Sequence, residues 1–68
     1  MKLKPREIFN LQAKTVAETF DSQFPDAEID TEYTENGWSD LPKEARETGT
    51  WREFHDKVAN KLAEMRGE

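Results

Sequence analysis

Sixty-eight residues with 34% hydrophobic and 37% charged side chains hold enough apolar surface for one layer of packing, so a single small domain over 1–68 is expected. The absence of cysteine excludes disulfide staples, thiolate metal sites and cysteine nucleophiles, and a formal net charge of -5 disfavours direct nucleic-acid binding. No apolar run has the layout of a signal peptide or the length of a membrane span, so a cytoplasmic protein away from membranes is expected.

The first element is an amphipathic helix from about residue 5 to 23. Pro5 suits a first helical turn, and Phe9, Ala13, Val16, Ala17, Phe20 and Phe24 fall on one helical stripe that is expected to be buried. Ile8 and Leu11 point away from that stripe and are left to meet the middle segment or a partner. Pro25 ends the helix.

Residues 26–34 read with period two: Ala27, Ile29, Thr31 and Tyr33 alternate with Asp26, Glu28, Asp30 and Glu32, the pattern of a half-buried strand. Asn36-Gly37 ahead of Trp38 predicts a tight turn and a short hairpin, with Trp38, Ile29 and Tyr33 closing one side of the core. Asp40 is expected to cap a short helix over 41–47 that Gly49 terminates. Thr50 and Glu53 form a T-x-x-E capping box before a last helix, whose Trp51, Phe54, Val58, Leu62 and Met65 make one narrow seam. The fold class is therefore mainly α with a small β part. A C-terminal helix packs on the first, antiparallel or crossed, and an acidic strand or hairpin and a short helix lie between them.

Catalytic chemistry has little to work with. A nucleophilic triad would have to use the single histidine, as Ser39, His55 and Asp40, and no Gly-rich stretch offers an oxyanion hole. His55 beside the last seam reads as an ordinary packing or surface residue, and a glycosidase-like carboxylate pair needs a cleft that so short a chain hardly builds. The acids at 26–32 do not fit an EF-hand loop, where Thr31 stands at the glycine position and Gly37 at that of the bidentate Glu. Residues 41–58 outline a helix-turn-helix only superficially, with Glu44, Thr48 and Thr50 where apolar residues belong. Neither catalytic residues nor a cofactor or metal site is assigned, and the expectation is a non-enzymatic protein.

Charge distribution is the strongest functional signal. Between residues 18 and 40 lie eight acids (Glu18, Asp21, Asp26, Glu28, Asp30, Glu32, Glu35 and Asp40) and no lysine or arginine. A few charges would be enough to keep an edge strand from pairing with its neighbours. Eight uncompensated acids cost self-repulsion, and a basic protein partner explains that cost better than solvation does. Carboxylates about 6.6 Å apart along a strand, twice its rise, also resemble successive phosphates, so the partner would include nucleic-acid-binding proteins that this chain mimics its way onto. The expected partner-binding residues are Asp26, Glu28, Asp30, Glu32, Glu35 and Asp40, with Tyr33 and Trp38 as aromatic anchors. The alternative is an assembly subunit, a homodimer or part of a larger complex, that uses Ile8, Leu11 and the last helix's seam.

Overall fold

A computed structural model describes residues 2–67, and its elements are four helices: α1 (Pro5–Gln23), α2 (Thr31–Ser39), α3 (Lys43–Arg46) and α4 (Trp51–Met65). In α1 the first turn takes Pro5 without losing a hydrogen bond, and the Lys4 N–H donates to the Glu7 carboxylate at 3.0 Å. Phe9, Ala13, Val16, Ala17 and Phe20 are buried as the stripe predicts. Phe24 lies just past the helix and is 48% exposed, touching Phe20 and Tyr33 at the edge of the core instead of filling it.

The expected acidic strand and hairpin do not form, and the described residues contain no strand. Helix α2 stands there instead. The Asp30 carboxylate accepts from the Glu32 N–H at 2.7 Å, so Asp30 is a helix N-cap, and Glu32 sits favourably in the positive first turn. Tyr33, Thr34, Gly37 and Trp38 then recur at helical spacing and all turn inward. Asn36-Gly37 is helix interior, not a turn, and among the described residues only Gly67 has positive φ. Gly37 is required for close approach: a Cβ there would lie 2.5 Å from Val16 Cγ2, and its carbonyl accepts from Gln12 Nε2 at 3.1 Å.

Asp40 likewise does not start the next helix. It is the C-cap of α2, its N–H bonded to the Asn36 carbonyl at 3.2 Å, and the one-turn α3 begins after Pro42. Leu41 and Ala45 anchor this connection in the core. Thr50 caps α4 as predicted, its hydroxyl accepting from the Glu53 N–H at 3.1 Å. Phe54, Val58 and Leu62 of the seam are buried, whereas Trp51 is half-buried and Met65 is 38% exposed.

Helix α1 packs on α4 in parallel, a correction to the antiparallel or crossed pair. Arg6 near the start of α1 pairs with Glu53 near the start of α4, and Asp21 near the end of α1 with Arg66 at the end of α4. Between them Phe9 meets Phe54 edge to face, ring centroids 5.5 Å apart, a contact contributing about 0.5 to 1.5 kcal/mol beyond its burial. A parallel pair needs a return connection. Helix α2 supplies it by running back along both, Tyr33 beside Phe20 and Phe24 at one end and Trp38 beside Phe9 and Phe54 at the other.

Candidate partner-binding face

Because α2 turns Thr34 and Gly37 into the core, its opposite side carries Glu32, Glu35, Asn36 and Ser39, all exposed. Thr34 is fully buried and fixes the helix's rotation: its hydroxyl donates to the Thr31 carbonyl at 3.0 Å and meets His55 Nδ1 at 2.8 Å. A hydroxyl proton spent on Thr31 leaves a lone pair that suits an Nδ1–H donor, so the buried Thr34 hydroxyl and the half-buried imidazole are both satisfied. His55 is thus a packing residue tied to a threonine, with no carboxylate among the described residues on its Nδ1.

The six acids expected at the interface fall in two groups along the chain. Asp26 and Glu28 lie in the loop before α2, which Arg66 holds in place by donating to the Phe24 carbonyl at 2.8 Å and the Ala27 carbonyl at 2.7 Å. Asp30, Glu32, Glu35 and Asp40 follow along α2 from its N-cap to its C-cap. All six are exposed, and none forms an ion pair among the described residues. Asp21, of the same base-free stretch, is paired: its carboxylate accepts from Arg66 Nε at 2.8 Å. The even row of carboxylates at strand spacing is absent because the strand is absent.

Tyr33 and Trp38 are half-buried on the two flanks of the acidic side. Their rings hold α2 to the core, so they are not free anchors: Tyr33 packs edge-on to Phe20 at 5.1 Å, and Trp38 edge-on to Phe9 at 6.1 Å. Each flank nevertheless borders a groove. One of about 290 Å³ lies between α1 and α2, lined by Gln12, Thr15, Thr19, Tyr33, Asn36 and Asp40. Another of about 460 Å³ lies between α2 and α4, lined by Glu35, Trp38, Ser39 and Trp51. The sequence places Trp51 in the core seam, and nothing in α4 alone shows that it shares a groove with Trp38.

Basic residues gather elsewhere. Lys14 on α1, together with Lys57, Lys61 and the Glu64 that pairs with Lys61 on α4, lines a separate groove with Asn10 and Asn60 on the side of α1 turned away from α2. No three His, Asp or Glu side chains among the described residues converge as a metal-holding group, and no helix is long and apolar enough to cross a membrane. In comparison with known proteins the chain matches no family model, no curated protein and no solved structure.

Proposed function

We propose that this chain is a non-enzymatic accessory or inhibitor protein that docks its acidic side, from Asp26 to Asp40, on a basic surface of a protein partner. The observation that carries this reading is the exposure of six acids that form no ion pair among the described residues, in a stretch from 18 to 40 that holds no lysine or arginine. Clustered like charge in a small domain is destabilising, and its compensating benefit is faster and more selective association with a surface of opposite sign. Phosphate-like regular spacing no longer supports nucleic-acid mimicry as a special case, so the proposal rests on charge and exposure.

The test uses a chain carrying Asp26→Asn, Glu28→Gln, Glu35→Gln and Asp40→Asn, which leaves the Asp30 cap and Glu32 in place. Wild type and variant are each used to capture proteins from lysate, with elution by a salt gradient. A basic protein held by the wild type alone and released at moderate salt supports the proposal, and equal capture by both chains contradicts it.

A second reading, an assembly subunit, draws on Leu3 at 49% and Leu11 at 51% exposure. Ile8 packs against the core, and Phe54, Val58 and Leu62 of the α4 seam are buried, so less apolar surface is left for self-association than the sequence suggests. A melting temperature that rises with protein concentration is the expected signature of that reading.

A further inference from the structure

Trp38 and Trp51 come from different helices, 13 residues apart in sequence, and border one groove. Trp38 is fixed from behind by the core, and Trp51 rests on one neighbour. Trp38 is wedged against Phe9 and Phe54, with centroid distances of 6.1 and 5.9 Å. Trp51 lies against His55 at 5.5 Å, and His55 is in turn held by the buried Thr34. The Trp51 Nε1–H is buried and has no acceptor among the described residues, so packing and not hydrogen bonding positions this ring. The remaining lining is Glu35, exposed and without an ion pair among the described residues, and the Ser39 hydroxyl.

Two half-buried indoles beside an unpaired carboxylate suit a cation with a flat or greasy body. The ring faces attract it through their quadrupoles, the carboxylate through its charge, and little side-chain entropy is lost because the rings are already in place. Guanidinium fits better than ammonium, since it stacks on indole and donates in a plane to carboxylate. The fold itself already holds one arginine this way, with the Arg6 guanidinium carbon 4.3 Å from the Phe9 ring centroid. Glu32, on the same outward side as Glu35, adds to the local negative field, and no lysine or arginine lies between residues 18 and 40 to oppose it.

We infer that the Trp38–Trp51–Glu35 groove receives an arginine side chain of the basic protein on which the acidic side docks. The inference rests on the acidic-side proposal and gives it a specific contact. The test titrates the full chain with a deca-arginine peptide at low salt, following amide and indole N–H signals by NMR. The Trp38 and Trp51 indole signals and the Glu35 amide are expected to move most. Trp51→Leu is expected to weaken binding about 5- to 30-fold, the range for a partly desolvated cation on an aromatic face. Glu35→Gln, at an exposed position that leaves the fold alone, is expected to weaken it about 3- to 10-fold. If both variants bind like wild type while Asp26→Asn with Glu28→Gln loses affinity, the groove is not the receptor and the acidic-side proposal stands. If wild type does not bind the peptide at all, both are overturned.

Discussion

The α1–α4 pair and the 26–40 segment use charge in opposite ways. Along α1 and α4, charged side chains are matched at both ends: Arg6 reaches Glu53 and the Thr48 carbonyl, and Arg66 reaches Asp21 and two loop carbonyls. On α2 and the loop before it, six acids face solvent with no ion pair among the described residues, and what holds α2 is the Asp30 cap together with Thr34, Gly37, Tyr33 and Trp38 on its inner side. Charge in the first region is part of how the helices are fixed; charge in the second, apart from the Asp30 cap and Glu32 in the first turn of α2, is surplus to the fold. Surface ion pairs are individually weak, so the contrast concerns the use of charge more than its energy.

Perturbations that separate the two regions differ in size. Phe9→Ala or Phe54→Ala removes a fully buried ring from the α1–α4 contact and is expected to cost about 3 to 5 kcal/mol, as much as so small a core supplies. Loss of a cooperative thermal transition in circular dichroism checks this. Arg66→Ala removes three hydrogen bonds from a guanidinium whose side chain is 17% exposed, and a loss of about 1.5 to 3 kcal/mol is expected. Amide exchange in the Asp26 and Glu28 loop should quicken more than that in α4, which separates loss of the clamp from general loosening.

Gly37→Ala improves helix propensity by about 1 kcal/mol yet pushes a methyl into Val16, and overpacking of about 1 to 3 kcal/mol is expected to prevail. A raised denaturation midpoint would mean that α2 moves freely over α1. The Arg6–Glu53 pair gives a pH signature without a large magnitude. The Arg6 hydrogen bond, against partial desolvation and aided by the charges of Arg6 and Lys57, holds the Glu53 carboxyl below its ordinary value of 4.5. A lowered native value means that the stabilising contribution is present above pH 4.5 and fades as pH falls through the native value. Melting of Glu53→Gln should therefore differ from wild type at neutral pH and converge with it in acid.

Sequence pattern locates α1 and α4 because their apolar residues repeat at 3.6-residue spacing over several turns, and because Pro5 and Thr50 mark their starts. It misleads over 26–40 because two patterns overlap there. Alternation from Ala27 to Tyr33 imitates a strand, while Tyr33, Thr34, Gly37 and Trp38 form a helical stripe only if Thr34 and Gly37 count as core residues. A buried threonine needs its hydrogen-bond partner and a buried glycine its close neighbour, and both, His55 and Val16, lie far away in sequence. Asp30 is the local sign that was available, an aspartate one residue before the helix with glutamate in the first turn. The parallel order of α1 and α4 follows from α2 running back along both, and the Arg6–Glu53 and Asp21–Arg66 pairings that mark it are specified by no local pattern. The acidic side survives the change from strand to helix because charge segregation depends on composition. Its aromatic anchors do not survive in the same form, because Tyr33 and Trp38 are half-buried and Trp51 joins from another helix.

That Asp26, Glu28, Glu35 and Asp40 are surplus to the fold is tested most directly by calorimetric melting of the chain in which they become Asn, Gln, Gln and Asn, at low and at high salt. A melting temperature equal to or above that of wild type is predicted, with any gain shrinking as salt screens the wild-type repulsion. A clear drop in melting temperature would show that these carboxylates support the fold and would contradict the account.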